Sequence, residues 1–183
     1  EVEKLRAAIE RALKRLGELN KSRMDYLERL QALIDAYNAG AMNVQLYFEE
    51  LVAFAKGLDA EEQRAIALGL TEEELAVFDL LTKPGPTLTA KEEEQVRTAA
   101  RELLAALKRG KLVLDWRKKQ TAKAQVQVTI QRMLAERLPR VYSLAEMRQK
   151  TDVVYQHVFD AYWGEGRSLY AVDGSGREAY HVN

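Results

Sequence analysis

The sequence predicts an all-α fold: a multi-helix bundle with a long amino-terminal helix and a short carboxy-terminal β-hairpin. Three observations lead to this prediction. Apolar residues recur at spacings of three and four through most of the chain, which places them on one face of an α-helix. Capping residues precede several of these segments, and glycine or proline follows them. Strict alternation of apolar and polar residues is confined to residues 122–130 and to the last segment of the chain.

The composition is that of a globular domain. Of the 183 residues, 47% are hydrophobic and 31% are charged, and a chain of this length can bury a sizeable core. The absence of cysteine excludes disulfides and thiolate metal sites. No apolar run approaches the ~20 residues of a membrane-spanning helix. We therefore expect a cytoplasmic location without membrane contact. Because Glu1 stands inside a helical pattern, we also expect a fragment of a larger protein.

The amino-terminal segment carries the longest helical pattern. Its apolar residues follow a seven-residue repeat, the spacing that keeps one stripe against a partner helix. They are Val2, Leu5, Ile9, Ala12, Leu16, Leu19, Tyr26, Leu30, Leu33 and Tyr37. An unbroken helix over residues 2–38 would be about 55 Å long. The prediction is a connector helix over residues 1–40, bent near residues 17–22. It would lead from a missing neighbour or form a homodimeric coiled coil.

Four shorter helices are predicted in the first part of a helical bundle that spans residues 41–164. Each has a capping residue or capping box at its start and glycine or proline at its end. They begin at Asn43, Asp59, Thr71 and Thr89, and they stop at Gly57, Gly69, Pro84 and Gly110.

The segment KLVLDWRKKQTAKAQ, residues 111–125, follows these helices. Residues 112–114 are expected to cross the core in extended form, and Asp115 to cap a helix that starts at Trp116. The alternation over residues 122–130 also fits a strand, but the helical reading explains more residues up to Pro139. Ser143 and Glu146 form a capping box for a last helix that reaches residue 164. Residues 165–183 read as a hairpin turning at 173–176, or as a frayed tail.

The net charge is zero, yet the charge is distributed in blocks. Residues 59–94 hold ten acids and three bases, and residues 97–123 hold nine bases and two acids, so the two blocks carry −7 and +7. These are either solvated helix faces or a surface that faces a partner.

No catalytic constellation is recognisable. The sequence has neither a GxxxxGK[ST] phosphate loop nor a GxGxxG motif. His157 and His181 lack ligand-spaced partners and read as structural or solvent-facing residues. The acidic triplets 72–74 and 92–94 lie in first helical turns, where the helix dipole favours negative charge. We therefore predict no catalytic, cofactor-binding or metal-binding residue in this chain.

A basic cluster is the only candidate for direct contact with a phosphate or a partner. Its members are Lys108, Arg109, Lys111, Arg117, Lys118, Lys119 and Lys123. Such side chains can neutralise phosphates without reading sequence. Bases near a helix amino terminus oppose the helix dipole, which indicates an external anionic partner. Trp116 could stack on an unpaired base, but a tryptophan in a first helical turn more often packs inward, and we favour that position for it.

Several of these segments resemble the carboxy-terminal helical region of the restriction (R, motor) subunit of type I restriction-modification enzymes. They are YNAG at 37–40, EELVAFAK at 49–56, GLTEEELAVFDLL at 69–81, ARELLAALK at 100–108 and LDWRKKQTAKAQVQVTIQRML at 114–134. The resemblance covers roughly residues 30–138, and its order and spacing are more specific than any one segment.

The resemblance implies a role without chemistry of its own. Such subunits cut DNA after translocating it with ATP, and their nuclease and two helicase-like motor domains precede the helical region. ATP and Mg²⁺ would therefore act in missing upstream domains, and no catalytic residue carries over. The helical region would dock the motor onto the methyltransferase and specificity subunits, with DNA reached through the whole complex. The alternatives are a nucleic-acid-binding module that uses residues 108–123, or a self-associating coiled-coil module.

Overall fold

The computed structural model describes residues 1–171 and confirms the all-α fold with a small two-stranded hairpin. The α-helices are α1 (Val2–Leu19), α2 (Met24–Asn38), α3 (Val44–Ala67), α4 (Glu72–Thr82), α5 (Ala90–Gly110), α6 (Gln120–Arg137) and α7 (Leu144–Ala161). Two 3-10 turns, Lys21–Arg23 and Trp116–Lys118, precede α2 and α6, and the strands are β1 (Tyr162–Gly164) and β2 (Arg167–Ser168). Among the described helices, none is long and apolar enough to cross a membrane.

The chain forms two compact units, Glu1–Thr71 and a second unit that begins at Glu72. Within the first unit, α1 and α2 both pack against α3. A role of residues 1–40 as a connector to another domain stays a prediction.

In the first unit, α1 and α2 bury their apolar stripe against α3. The fully enclosed side chains are Ile9, Leu13, Leu16, Leu30, Tyr47, Leu51 and Leu58. The rings of Tyr37 and Tyr47 stack with their centroids 4.2 Å apart, which closes the turn between α2 and α3. The seven-residue stripe therefore packs inside the unit and is not an open coiled-coil seam.

A buried ion pair holds the junction between α1 and α2. The helix is interrupted at Asn20, which is extended and whose side chain accepts a hydrogen bond from the Ser22 amide. The next turn directs Arg23 inward, where its Nε lies 2.8 Å from Glu61 Oε1 on α3. Arg64 Nε donates to the other oxygen of Glu61 at 2.9 Å. Burial alone would raise the pKa of Glu61, but the hydrogen bonds from Arg64 and Arg23 outweigh it and hold this pKa below its usual value.

The prediction of two helices between Asn43 and Gly69 was wrong, because α3 runs unbroken through Gly57 and Asp59. Leu51, Leu58 and Ala65 are all buried and lie seven residues apart, so one apolar stripe continues across the predicted break. A glycine in mid-helix weakens the helix by only about 1 kcal/mol, which this packing overrides. Asn43 does cap the helix as predicted, since its side chain accepts from the Leu46 amide.

In the second unit, four helices close into a ring: α4 packs on α5 and α7, and α6 packs on the same two helices. Their inward faces form the core, with Leu75, Leu81, Val96, Leu103, Leu107, Val126, Ile130, Leu134, Val154 and Val158 buried. The predicted capping boxes of α5 at Thr89 and of α7 at Ser143 are both present. Residues 120–137 are helical, so the strand alternative for this stretch is excluded.

Two side chains that follow α6 secure the carboxyl end of α4. Lys150 Nζ donates to the Leu80 carbonyl at 2.8 Å, and the Tyr142 hydroxyl donates to the Leu81 carbonyl at 3.0 Å. Both side chains are buried, and burial lowers the pKa of Lys150 and raises that of Tyr142 to about 12. Carbonyls that a helix end leaves without intrahelical partners are thus satisfied from another part of the chain.

The observed hairpin starts earlier than predicted. Helix α7 ends at Ala161 instead of residue 164, and β1 pairs antiparallel with β2 across Glu165 and Gly166. Both turn residues have positive φ, 53° and 74°, which matches the type I′ turn favoured in two-residue hairpins. The turn predicted at residues 173–176 lies outside the described residues.

We expect Glu61→Gln to destabilise the first unit by about 3 kcal/mol near neutral pH, since it removes the negative charge that pairs with the buried Arg23 guanidinium. The folded-state pKa of Glu61 is lowered, so its stabilisation is present above the unfolded pKa of about 4.3 and is lost as pH falls through the lower folded value. The difference between wild type and variant in urea unfolding should therefore shrink between about pH 6 and pH 3.

Glu62→Gln is the matched control. Glu62 pairs with Arg15 at the surface of the same unit, where removing one charge should cost less than about 1 kcal/mol. Equal losses for the two variants, or a Glu61 effect independent of pH, would contradict the assignment of a buried ion pair.

Candidate functional site

The basic cluster is organised around the loop between α5 and α6, residues 111–119, which we call the α5–α6 loop. Trp116 is its fixed point, with an indole that is fully buried. The indole Nε1 donates to the Tyr162 carbonyl at 3.0 Å, and the edge contacts with Tyr155 and Phe159 have centroid distances of 6.4 and 5.8 Å. The prediction that Trp116 packs in the core is confirmed, and a buried indole has no face on which a base could stack.

The hairpin locks the loop from the other side. The Glu165 amide donates to the Leu112 carbonyl at 3.1 Å, and Gly164 lies directly against the loop with a φ of +101°. A Cβ at Gly164 would lie 2.4 Å from the Val113 carbonyl oxygen and 3.4 Å from the Trp116 ring. Only glycine fits this approach, which holds the loop against the end of α7.

Two expectations for this loop were wrong. Residues 112–114 do not cross the core: Leu112 is buried, but Val113 and Leu114 are each 43% exposed, because a turn closed by the Trp116 amide and the Val113 carbonyl directs them outward. Asp115 does not cap a helix either, since it has a φ of 55° and makes no capping hydrogen bond. It lies 3.3 Å from Lys118 Nζ instead.

The seven predicted basic residues divide into anchored and outward-facing groups. Lys108 pairs with Glu73 and lies over the Tyr162 ring, and Arg117 donates to the Phe159 carbonyl at 3.2 Å while covering the Phe159 ring. Lys119 donates to the Leu114 carbonyl at 3.2 Å, so its charge stays beside the loop. Lys118 and Arg109 are exposed, and Lys111 and Lys123 are half-buried. In the sequence, the exposed pair Val113 and Leu114 is flanked by the half-buried Lys111 on one side and by the exposed Lys118 and Lys119 on the other.

The amino terminus of α6 lies within the same surface. Lys119 occupies the capping position, and its side chain makes no capping hydrogen bond to the first turn. Amide groups of a first turn carry partial positive charge, and here lysines precede and follow them. This arrangement favours an acidic or phosphate-bearing partner.

A cavity of about 230 Å³ is lined by Lys108 together with Glu73 and Tyr162. Tyr162 donates from its hydroxyl to Glu73 Oε2 at 2.8 Å, and burial together with the Glu73 carboxylate raises the pKa of Tyr162. Glu73 is therefore occupied by both Tyr162 and Lys108, which leaves it poorly suited to act as a general base. In residues 1–171, no group of three His, Cys, Asp or Glu side chains could hold a metal ion.

Sequence reasoning found the bases and Trp116 but missed the exposed apolar pair and the hydrogen bond between Tyr162 and Glu73. The composition of the apolar run LVL at residues 112–114 is typical of a core segment, and nothing within the run indicates that Val113 and Leu114 are exposed. The glycine and tryptophan that turn its last two residues outward act through contacts almost fifty residues apart in the chain.

We expect Trp116→Phe to destabilise the second unit by about 3 kcal/mol, because it removes a buried donor from the Tyr162 carbonyl and leaves a cavity. Urea unfolding followed by circular dichroism would measure this loss. Trp163→Phe applies the same chemical change to a half-buried position and should cost less than about 1 kcal/mol. Equal effects at the two tryptophans would show that Trp116 has no special structural role.

Comparison with known proteins assigns this arrangement to a family. The family described as "Type I restriction enzyme HindI endonuclease subunit-like, C-terminal" matches residues 1–160. The chain is 27% identical over 137 residues to the MjaIXP endonuclease subunit of Methanocaldococcus jannaschii, whose name assigns it to the type I restriction enzymes; the match covers 75% of this chain and 13% of that protein. It is 26% identical over 133 residues to the type I restriction enzyme HindI endonuclease subunit of Haemophilus influenzae, covering 72% of this chain and 12% of that protein.

The chain thus spans about an eighth of the length of these curated relatives. No solved structure matches it. The family match extends over both compact units, from the start of α1 to the end of α7. The chain belongs to the family of carboxy-terminal regions of HindI-like type I restriction endonuclease subunits.

Proposed function

We propose that this chain is a non-catalytic docking domain that joins the endonuclease subunit of a type I restriction-modification enzyme to the methyltransferase and specificity subunits. The observation that carries the proposal is the α5–α6 loop, where Val113 and Leu114 are exposed among outward-facing bases. Protein interfaces commonly combine an apolar centre with a polar rim.

The rigidity of the loop supports docking. A surface that is already fixed before binding loses little conformational entropy when its partner arrives. Trp116 and Gly164 hold this loop between α6, α7 and the hairpin. The bases around it would orient an acidic partner surface and accelerate encounter.

The remaining parts of the proposal follow from the family. The parent protein would be an ATP-dependent, DNA-translocating and DNA-cleaving enzyme of the cytoplasm, and its ATP and Mg²⁺ would act in domains upstream of this chain. DNA would be reached through the whole complex. Both relatives are named as endonuclease subunits, and this supports the proposal that the present chain works as part of a multi-subunit assembly.

Docking should depend on the apolar pair. We expect Val113→Asp combined with Leu114→Asp to weaken binding of the chain to its cognate methyltransferase–specificity core at least tenfold, a loss of about 1.4 kcal/mol. Calorimetric titration would measure the dissociation constant. Val128→Asp, at a valine of α6 that is 59% exposed, is the control and should leave it unchanged. Undiminished binding by the double variant would place the docking surface elsewhere.

The second candidate function is nucleic-acid binding through residues 108–123. The uncapped first turn of α6 beside Lys118 and Lys119 favours it, because amides and lysines together suit a phosphate. If this function holds, duplex DNA should bind with an affinity that falls steeply with salt. Lys118→Ala with Lys119→Ala should then reduce the slope of log K against log[salt] by about 2.

Fluorescence anisotropy with a labelled duplex at several salt concentrations would decide this point. Lys56→Ala with Lys91→Ala removes the same charge from exposed positions outside the cluster and is the control. A slope that both double variants change equally would indicate nonspecific attraction to the whole molecule.

A further inference from the structure

The first unit contains an apolar groove between α1 and α2 that the proposed docking surface does not use. Its volume is about 610 Å³. Leu13 and Gly17 form its floor, and Met24 and Leu27 of α2 form its wall with exposed fractions of 51% and 47%. Exposed methionine and leucine side chains beside a groove are typical of an interaction surface, because covering them removes apolar area from water.

The rim of this groove carries charges that alternate in sign along α1 and into the 3-10 turn that follows it. The residues are Glu10, Lys14, Glu18 and Lys21, so the order along the helix is negative, positive, negative, positive. All four side chains are exposed. From Lys21 back to Glu10 the order is positive, negative, positive, negative. Two copies of the rim that run in opposite directions therefore place opposite charges against each other.

We propose that this groove is the interface between two copies of the chain, related by a two-fold axis with their α1 helices antiparallel. In that arrangement Glu10 faces Lys21 of the second copy, and Lys14 faces its Glu18. A two-fold interface uses the same patch on both copies, so each pairing occurs twice. Parallel helices would bring like charges together, and the rim therefore selects the antiparallel arrangement.

The centre of the groove suits this arrangement. In each facing pair, Glu10 with Lys21 and Lys14 with Glu18, the midpoint of the two residue numbers is about 16. The two-fold axis therefore passes near residue 16, next to Gly17. A Cβ built on Gly17 would meet no atom within 4 Å, so the space above it is open. The missing side chain lets two helix backbones approach closely at the point where they cross.

The size of the contact sets its strength. α1 has 18 residues and is about 27 Å long, so one helix on each side buries less than the ~1,600 Å² of a standard stable interface. The dimer should therefore be weak and should appear only at high protein concentration. It is also distinct from a coiled coil through the seven-residue stripe, since that stripe is buried against α3.

Sedimentation equilibrium of the full 183-residue chain with two charge variants tests the proposal. One variant, Glu10→Lys with Glu18→Lys, has a wholly positive rim, and the other, Lys14→Glu with Lys21→Glu, has a wholly negative rim. Wild type should dimerise as its concentration rises towards about 1 mM, and each variant alone should stay monomeric. An equimolar mixture of the two variants should regain the dimer, because opposite rims then meet.

Two controls separate the interface from folding and from general charge effects. Lys56→Glu with Lys91→Glu makes the same charge change as the negative variant, at exposed positions outside the groove, and should dimerise as wild type does. Gly17→Gln fills the groove while improving helix propensity, so it should abolish the dimer and raise the melting temperature of the monomer. Circular dichroism of every variant checks that the helices are intact.

Wild type that stays monomeric over the whole range would overturn the proposal. So would a dimer that persists in each charge variant alone, or a mixture of the variants that fails to associate while both fold normally. If Gly17→Gln raises the melting temperature and still dimerises, the contact lies on another face. Docking to the methyltransferase–specificity core is measured separately through Val113 and Leu114, so either proposal can fail without the other.

Discussion

The contact on which the second unit depends most is the burial of the Trp116 indole beneath the hairpin. One side chain joins the α5–α6 loop to α7 through two aromatic rings, and to β1 through a hydrogen bond from its ring nitrogen. A buried N–H group without an acceptor destabilises the fold by more than a formed hydrogen bond stabilises it. The position of the indole relative to the Tyr162 carbonyl can therefore vary little. The position of the exposed loop residues follows from it, since Val113 and Leu114 lie three and two residues before Trp116.

The charge blocks visible in the sequence neutralise each other in part within the folded chain. Glu73 of the acidic block pairs with Lys108 of the basic block, and Arg97 pairs with Glu93 and Glu94 inside α5. Of the basic block, Arg109, Lys111, Lys118 and Lys123 remain outward-facing in or beside the α5–α6 loop. The exposed surface of this loop therefore combines positive charge with two apolar side chains.

Local rules predicted the helical class, the capping boxes at Thr89 and Ser143 and the helix over residues 120–137. Capping and 3.6-residue periodicity are properties of neighbouring residues. These rules failed where distant contacts decide. Gly57 has the sequence character of a helix end, yet the stripe through Leu51, Leu58 and Ala65 carries α3 past it. Asp115 has the character of a cap, yet the burial of Trp116 places it in a left-handed turn. The basic residues were identifiable from composition, whereas the apolar pair among them required the fold.

The hydrogen bonds from Lys150 and Tyr142 to the carboxyl end of α4 can form only late in the folding of the chain. The carbonyls of Leu80 and Leu81 accept hydrogen bonds from Lys150 and Tyr142, which lie 70 and 61 residues later in the chain. While the polypeptide emerges from the ribosome, the last turn of α4 is exposed to water long before Tyr142 and Lys150 are synthesised. Closing so long a loop is slow because its entropic cost precedes the contacts that reward it. The carbonyls of Leu80 and Leu81 therefore gain both of these donors only after residue 150 has been synthesised, and a nascent chain truncated before residue 142 would leave both carbonyls without them.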